Sequence, residues 1–241
     1  MQRLWKEPDE IKTFTEEEEN ISKERVQRMG KKGIIFDLDG VICHTDKYHY
    51  QAWKKLADKL GVYFDEVINN RLRGVSRMES LNIILEKCDR ELTIQEKEAC
   101  AEEKNEIYKE LLKNMTTEDL SREVRETLEQ LREKGLKLAI GSSSKNAGFI
   151  LERIGLGDFF DTVSDGNNIT FSKPDPEVFL KAAQFLNLQP EQCLVVEDAE
   201  AGLLAAKRGN MDCAGIGEGA ESHLTTYKLC DFQELLSVIE K

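Results

Sequence analysis

The sequence predicts an α/β fold: a Rossmann-like parallel sheet core with an inserted α-helical cap. Three observations carry that expectation. Short apolar runs, residues 34–36 first among them, alternate with helical patterns, and strands alternating with helices build parallel sheets covered on both faces. Residues 45–117 are helical in pattern and hold no convincing strand, so they read as an insertion between the first strand and the next. Polar or charged residues close three of the strand candidates, which is where open parallel sheets hold their ligands.

Residues 1–30 are polar, with the acidic run Glu16 to Glu19 after Thr15. The Thr15 to Glu18 spacing is that of a capping box and predicts a helix ending near Gly30, an N-terminal polar helical extension. Met29 stands just before the first strand and is a candidate start that would make the upstream segment dispensable. Residues 31–44 and 118–241 are then the catalytic core, and residues 45–117 the cap. In the cap, apolar residues recur at helical spacing from Trp53 to Leu60, from Leu81 to Leu85 and from Ile107 to Leu112. Past the cap, strands are expected at 136–140, 162–163 and 193–196, each followed by helical sequence, with 214–217 a further candidate.

A formal charge of −12 argues against nucleic acid or an anionic membrane as partner, since both favour a basic surface. A phosphate site must then be a local basic cluster. Six cysteines lack paired metal-ligand spacing and read as reduced structural thiols. Neither a signal-peptide apolar region nor a membrane-length apolar run is present, so a soluble, cytoplasmic chain is expected, acting as a monomer. Nucleotide-binding loops, G-x-G-x-x-G, H-E-x-x-H and G-x-S-x-G are all missing.

The strand ends carry the chemistry. Asp37 and Asp39 close the first run on alternate residues, which sends both carboxylates to one side. Two converging negative charges call for a cation or a shared proton. One carboxylate could serve as a nucleophile while the other moves protons; a turn rich in Asp and Gly is the alternative. Gly141-Ser142-Ser143-Ser144-Lys145-Asn146 leads from a strand into a helix, where N–H groups and hydroxyls suit a phosphate or simply cap the helix. Lys173 precedes Pro174 and Pro176, which fix the backbone around it; it is either a phosphate-neutralising cation or an exposed loop lysine. Glu197 and Asp198 offer the hard oxygens that magnesium takes, or cap the helix that follows.

Asp37-Leu38-Asp39-Gly40-Val41, the Ser142 region, Lys173-Pro174 and Glu197-Asp198 resemble, in order and context, the four motifs of the haloacid dehalogenase superfamily. The resemblance runs from about Lys32 to the C-terminus. Within the superfamily the chain is similar to the β-phosphoglucomutases through Thr45, His49, Trp53, the run from Leu72 to Arg77 with Gly74 and Ser76, Lys104-Asn105 and Ser144-Lys145-Asn146. The resemblance implies that Asp37 is the nucleophile and Asp39 the general acid/base. It implies Mg2+ held at Asp37, Asp39, Glu197 and Asp198. Ser142, Ser143 and Lys173 would surround the transferring phosphoryl group, and Arg77, assisted by Lys145 and Asn146, would hold the distal phosphate. The implied partner is a small-molecule sugar phosphate, and the implied activity a phosphomutase interconverting β-glucose 1-phosphate and glucose 6-phosphate through a bisphosphate. A sugar-phosphate phosphatase of the same superfamily, or a non-catalytic phosphosugar-binding module, are the alternatives. Two positions depart from the pattern: His44, where an acidic or polar residue is usual, and Ser143, where alanine is expected.

Overall fold

The computed structural model describes residues 30–72 and 75–239. The helix expected from Thr15, and Gly74, lie outside the described residues. Strands β1 (Gly33–Phe36), β2 (Lys137–Gly141), β3 (Thr162–Ser164), β4 (Cys193–Glu197), β5 (Asp212–Gly215) and β6 (Tyr227–Lys228) form one sheet in the order β3-β2-β1-β4-β5-β6. All neighbours are parallel. Ile34 of β1 pairs with Leu138 of β2 on one side and Leu194 of β4 on the other. Strand order therefore reverses at β1, and a crevice opens beyond its carboxyl end.

Between β1 and β2 lie α1 (Asp46–Leu60), α2 (Glu66–Asn70), α3 (Arg77–Ile84) and α4 (Ile94–Leu112). The later crossovers hold α5 (Arg122–Glu133) ahead of β2, then α6 (Ala147–Arg153), α7 (Glu177–Phe185) and α8 (Glu200–Arg208), with α9 (Leu235–Val238) at the end of the described chain. Strand alternation sends Ile34, Phe36, Leu138, Ile140, Leu194 and Val196 to one face, packed with Leu128 and Leu131 of α5 and Ile150 of α6. Ile35, Ala139, Val195 and Cys213 face the other way, onto Phe179 and Ala182 of α7 and Leu203 of α8. Each fully buried Leu, Ile or Phe here contributes about 1.5–3 kcal/mol, so both layers are held by the same term.

The inserted helices have a core of their own, with Trp53, Leu56, Phe64, Leu72, Leu81 and Ile84 at its centre. Tyr48 and Ala52 of α1 and Tyr108 and Leu112 of α4 instead join the core under the sheet. These two long helices thus reach from the sheet into the insertion and carry residues of both. Gly61 stops α1 in a left-handed conformation, its N–H returned to the Ala57 and Asp58 carbonyls. Thr93 and Glu96 open α4 with a reciprocal capping box.

β6 and α2, like α5 and α9, were not named from the sequence. β6 is two residues long, and α2 five residues with no buried side chain, so neither leaves a periodic apolar signal. The last predicted strand shifts two residues earlier, to Asp212–Gly215, because it pairs with Leu194 to Glu197 of β4. Among the described residues no helix is long and apolar enough to cross a membrane.

Candidate active site

Asp37 leaves β1 still bonded to the sheet, its N–H donating to the Val196 carbonyl at 2.9 Å. Leu38 turns into the core, and Asp39 returns to the same cavity as Asp37. Gly40 makes the turn at φ +91°, where a side chain would also run into the Asp198 carboxylate. The cavity, about 510 Å³, lies between the strand ends and the inserted helices.

Lys173 is the electrostatic centre. Its loop is pinned from three sides: Glu177 accepts the N–H groups of Thr170 and Phe171, Asp175 N–H donates to the Ser172 carbonyl, and Arg208 donates to the Pro174 carbonyl. The ammonium is buried, 2.5 Å from Asp37 Oδ1 and 2.7 Å from Glu197 Oε2. Burial opposes its charge, but those two carboxylates outweigh burial and hold it above the usual lysine range. The exposed-loop alternative for Lys173 therefore does not apply.

Glu197 also accepts the N–H groups of Ala199 and Asp198 on its other oxygen, and Gly202 leaves room for the carboxylate. Part of the helix-capping alternative is thus real, and it coexists with the pairing to Lys173. Oxygens of Asp37, Glu197 and Asp198 lie within 4.8 Å of one another. Three hard oxygen donors converging at a phosphate-sized cavity suit a divalent cation. Burial, countered by Lys173 and reinforced by Glu197, raises Asp37 to about 6. Burial and then the charge of Asp37 raise Asp39 to about 7.

Asp39 does not belong to the three-carboxylate group, although the resemblance implied a ligand there. Its carboxylate accepts the hydroxyl of Thr45, which is fully buried behind it and does not line the cavity. A carboxylate held this way, with a raised pKa, is placed to exchange protons.

In the loop after β2, Ser142 and Ser144 hydroxyls accept the N–H groups of Ser144 and Asn146, closing the turn into α6. Ser142, Ser143, Lys145 and Asn146 all line the cavity. Asn146 spends one amide hydrogen on Asn105 of α4 at 3.0 Å, which ties this loop to the inserted helices.

The opposite wall is cationic. Lys104 is buried, with Nζ 3.0 Å from His49 Nδ1 and 4.8 and 4.4 Å from the ring centres of Trp53 and Tyr108. Among the described residues no carboxylate pairs with it. Burial, then the charge of Arg77, lowers Lys104 to about 7. Burial, then Lys104 and Arg77, hold His49 well below its ordinary value, so the imidazole is neutral. Arg77 opens α3 and, among the described residues, has one loose ion-pair partner, Glu102 at 3.6 Å. Ser76 lines the cavity too, but its hydroxyl caps α3 by accepting the Glu79 N–H, which occupies it structurally.

Tyr108 was not singled out from the sequence. Tyr108 lies four residues beyond Lys104, on the same face of α4, and that spacing was the available signal.

Residues 31–210 match the model of the haloacid dehalogenase-like hydrolases. A β-phosphoglucomutase of Bacillus subtilis is 41% identical over 190 residues, covering 78% of this chain and 84% of that protein. A phosphorylated carbohydrates phosphatase of Thermotoga maritima is 32% identical over 184 residues, covering 75% of this chain and 82% of its own. The crystal structure of a β-phosphoglucomutase from Clostridium difficile superposes with a TM-score of 0.82 at 37% identity, over 87% of this chain and 96% of that one. The four strand-end motifs gathered around Lys173 have their explanation in this kinship: the chain belongs to the haloacid dehalogenase-like hydrolase family.

Proposed function

We propose that the chain is a magnesium-dependent phosphomutase interconverting β-D-glucose 1-phosphate and D-glucose 6-phosphate through an aspartyl-phosphate enzyme and β-glucose 1,6-bisphosphate. The observation that carries this reading is Lys104, a buried amine without a carboxylate partner among the described residues, in the same cavity as the Asp37–Lys173 pair; an incoming phosphate would favour its charged form. One cavity then has two anion-accepting ends. A bisphosphate needs both, whereas a monophosphate ester awaiting water needs one.

Asp37 attacks the phosphorus of a sugar phosphate, with Lys173 neutralising charge on the carboxylate and on the transferring oxygens. Asp39 protonates the leaving sugar oxygen, then removes the proton of the sugar hydroxyl that takes the phosphoryl group back. Thr45 keeps its carboxylate aimed at the cavity. Arg77, with Lys104, holds the phosphate that is not reacting, and Lys145 assists at the rim. Asp37, Glu197 and Asp198 would hold Mg2+, which supplies charge neutralisation to the phosphoryl oxygens. The inserted helices act as a cap whose closure excludes water from the aspartyl phosphate. All six cysteines are free thiols, which supports a cytoplasmic setting.

The Thermotoga maritima relative favours one alternative, hydrolysis of a sugar phosphate. Supplying β- and α-glucose 1-phosphate separately, with magnesium and trace bisphosphate, distinguishes the two. Glucose 6-phosphate from the β anomer alone is the expected product; free phosphate in its place would establish the phosphatase.

A further inference from the structure

The hydrogen bond from Asn146 Nδ2 to Asn105 Oδ1, 3.0 Å long, is buried and joins two side chains that both line the cavity. It bridges the loop after β2 to helix α4 of the insertion. Among the described residues no other side-chain hydrogen bond links residues 142–146 to the inserted helices.

Local structure requires neither side chain. Asn146 stands at the N-cap of α6, where asparagine ordinarily accepts an N–H group of the first turn, yet its side chain makes no capping bond. Ser144 Oγ takes the Asn146 N–H instead, and the amide is left to reach across to α4. Asn105 lies inside α4, where asparagine is a mediocre helix former because its side chain competes for backbone groups. Alanine would serve the helix better.

The bond falls at a junction. One turn before Asn105, Ala101 belongs to the core of the insertion; one turn after it, Tyr108 belongs to the core under the sheet. Asn105 therefore sits where α4 passes from one to the other, next to Lys104. The loop it holds carries Lys145 and is pinned on its far side by Asn167, which donates to the Lys145 carbonyl at 2.9 Å, and by the Gly166 N–H, which donates to the Ser144 carbonyl at 3.1 Å. Those two bonds fix the loop to the core, and the bond to Asn105 fixes it to the helix that carries Lys104. A ligand touching both sides at once binds best when their separation is set beforehand, because preorganisation removes the cost of ordering them.

We propose that Asn105 is a positioning residue: through Asn146 it holds the Lys145 loop at a fixed distance from Lys104 and Arg77, so that a sugar phosphate meets both walls in register with Asp37. The inference rests on the mutase reading above and adds to it a residue that acts without touching the ligand. A donor too small to span the cavity is indifferent to that distance. Losing the bond therefore slows transfer to sugar and spares phosphorylation of Asp37.

Asn105→Ala, Asn146→Ala and the double variant test this. Each is labelled on Asp37 with acetyl phosphate and magnesium, then chased with β-glucose 1-phosphate. Asn105→Ala should take up label within about 2-fold of wild type and pass it to sugar about 3- to 10-fold more slowly, the worth of one neutral hydrogen bond. The double variant should be no slower than Asn146→Ala, because Asn105 acts through that side chain. A merely structural role would slow both reactions equally and lower Tm with them. That result would overturn the assignment, as would unchanged transfer in Asn105→Ala or losses that multiply in the double variant. Wild-type protein that passed no label to sugar would bring down the mutase reading and this inference together, an outcome seen before any variant is made.

Discussion

Lys173 separates two buried carboxylates, and its removal would leave Asp37 and Glu197 facing each other with no counter-charge. Breaking a buried pair from one side costs about 3–5 kcal/mol, so Lys173→Met should unfold at markedly lower denaturant at pH 7. The deficit should shrink towards pH 5, where the orphaned carboxylates take up protons; a deficit independent of pH would show that the loss is one of packing against Phe179. The roles of the two aspartates separate by the same kind of substitution. Asp37→Asn cannot form an acyl phosphate and should show no turnover in a preparation free of wild type. Asp39→Asn should keep sugar-phosphate binding and lose about 10²–10⁴-fold in rate, the usual worth of acid–base catalysis. Near-wild-type rates in the second variant would reduce Asp39 to a positioning group.

Helices α3 and α4 bring the second set of cations to the strand ends, and their contribution can be tested apart from the core. Arg77 is held only loosely by Glu102, so a phosphate can displace that carboxylate and take both arms of the guanidinium. Arg77→Ala should slow mutase flux while affecting phosphorylation of Asp37 by acetyl phosphate much less, because a small donor needs no distal clamp. Equal loss in both reactions would indicate a folding defect instead. Long elements with a buried face were legible in the sequence: β1, β2 and β4 as apolar runs, and α1 and α4 through residues such as Trp53 and Leu112 at helical spacing. Asp37, Glu197 and Asp198 could be read because they close strands β1 and β4, and Lys173 because Pro174 and Pro176 fix the loop that carries it. Tyr108 could not, since an aromatic at helical spacing on α4 looks like core, and its ring is core. Nor could the division of labour among Ser142, Ser143 and Ser144, which depends on hydrogen bonds formed only once the turn has folded.

Asp37, Asp39, Glu197 and Asp198 concentrate negative charge at the end of the central strand of an already acidic protein. Asp37 and Asp39 sit at about 6 and 7, above the 3.8 of a free aspartate. A carboxylate raised on folding binds more protons in the native state than in the unfolded chain, so metal-free protein should lose stability as pH rises from about 4 to 7. Magnesium reverses that penalty by stabilising the ionised forms, and must displace protons at low pH. The rise in Tm on adding magnesium should therefore be small at pH 5 and larger at pH 7.5. An equal rise at both would place the ion away from these aspartates.

The fate of the phosphoryl group on Asp37 decides between transfer to sugar and transfer to water. Enzyme labelled with radioactive acetyl phosphate in magnesium, then chased with β-glucose 1-phosphate, should pass its label to glucose bisphosphate and on to glucose 6-phosphate. Label released as inorganic phosphate, at the same rate with and without the sugar, would contradict the mutase.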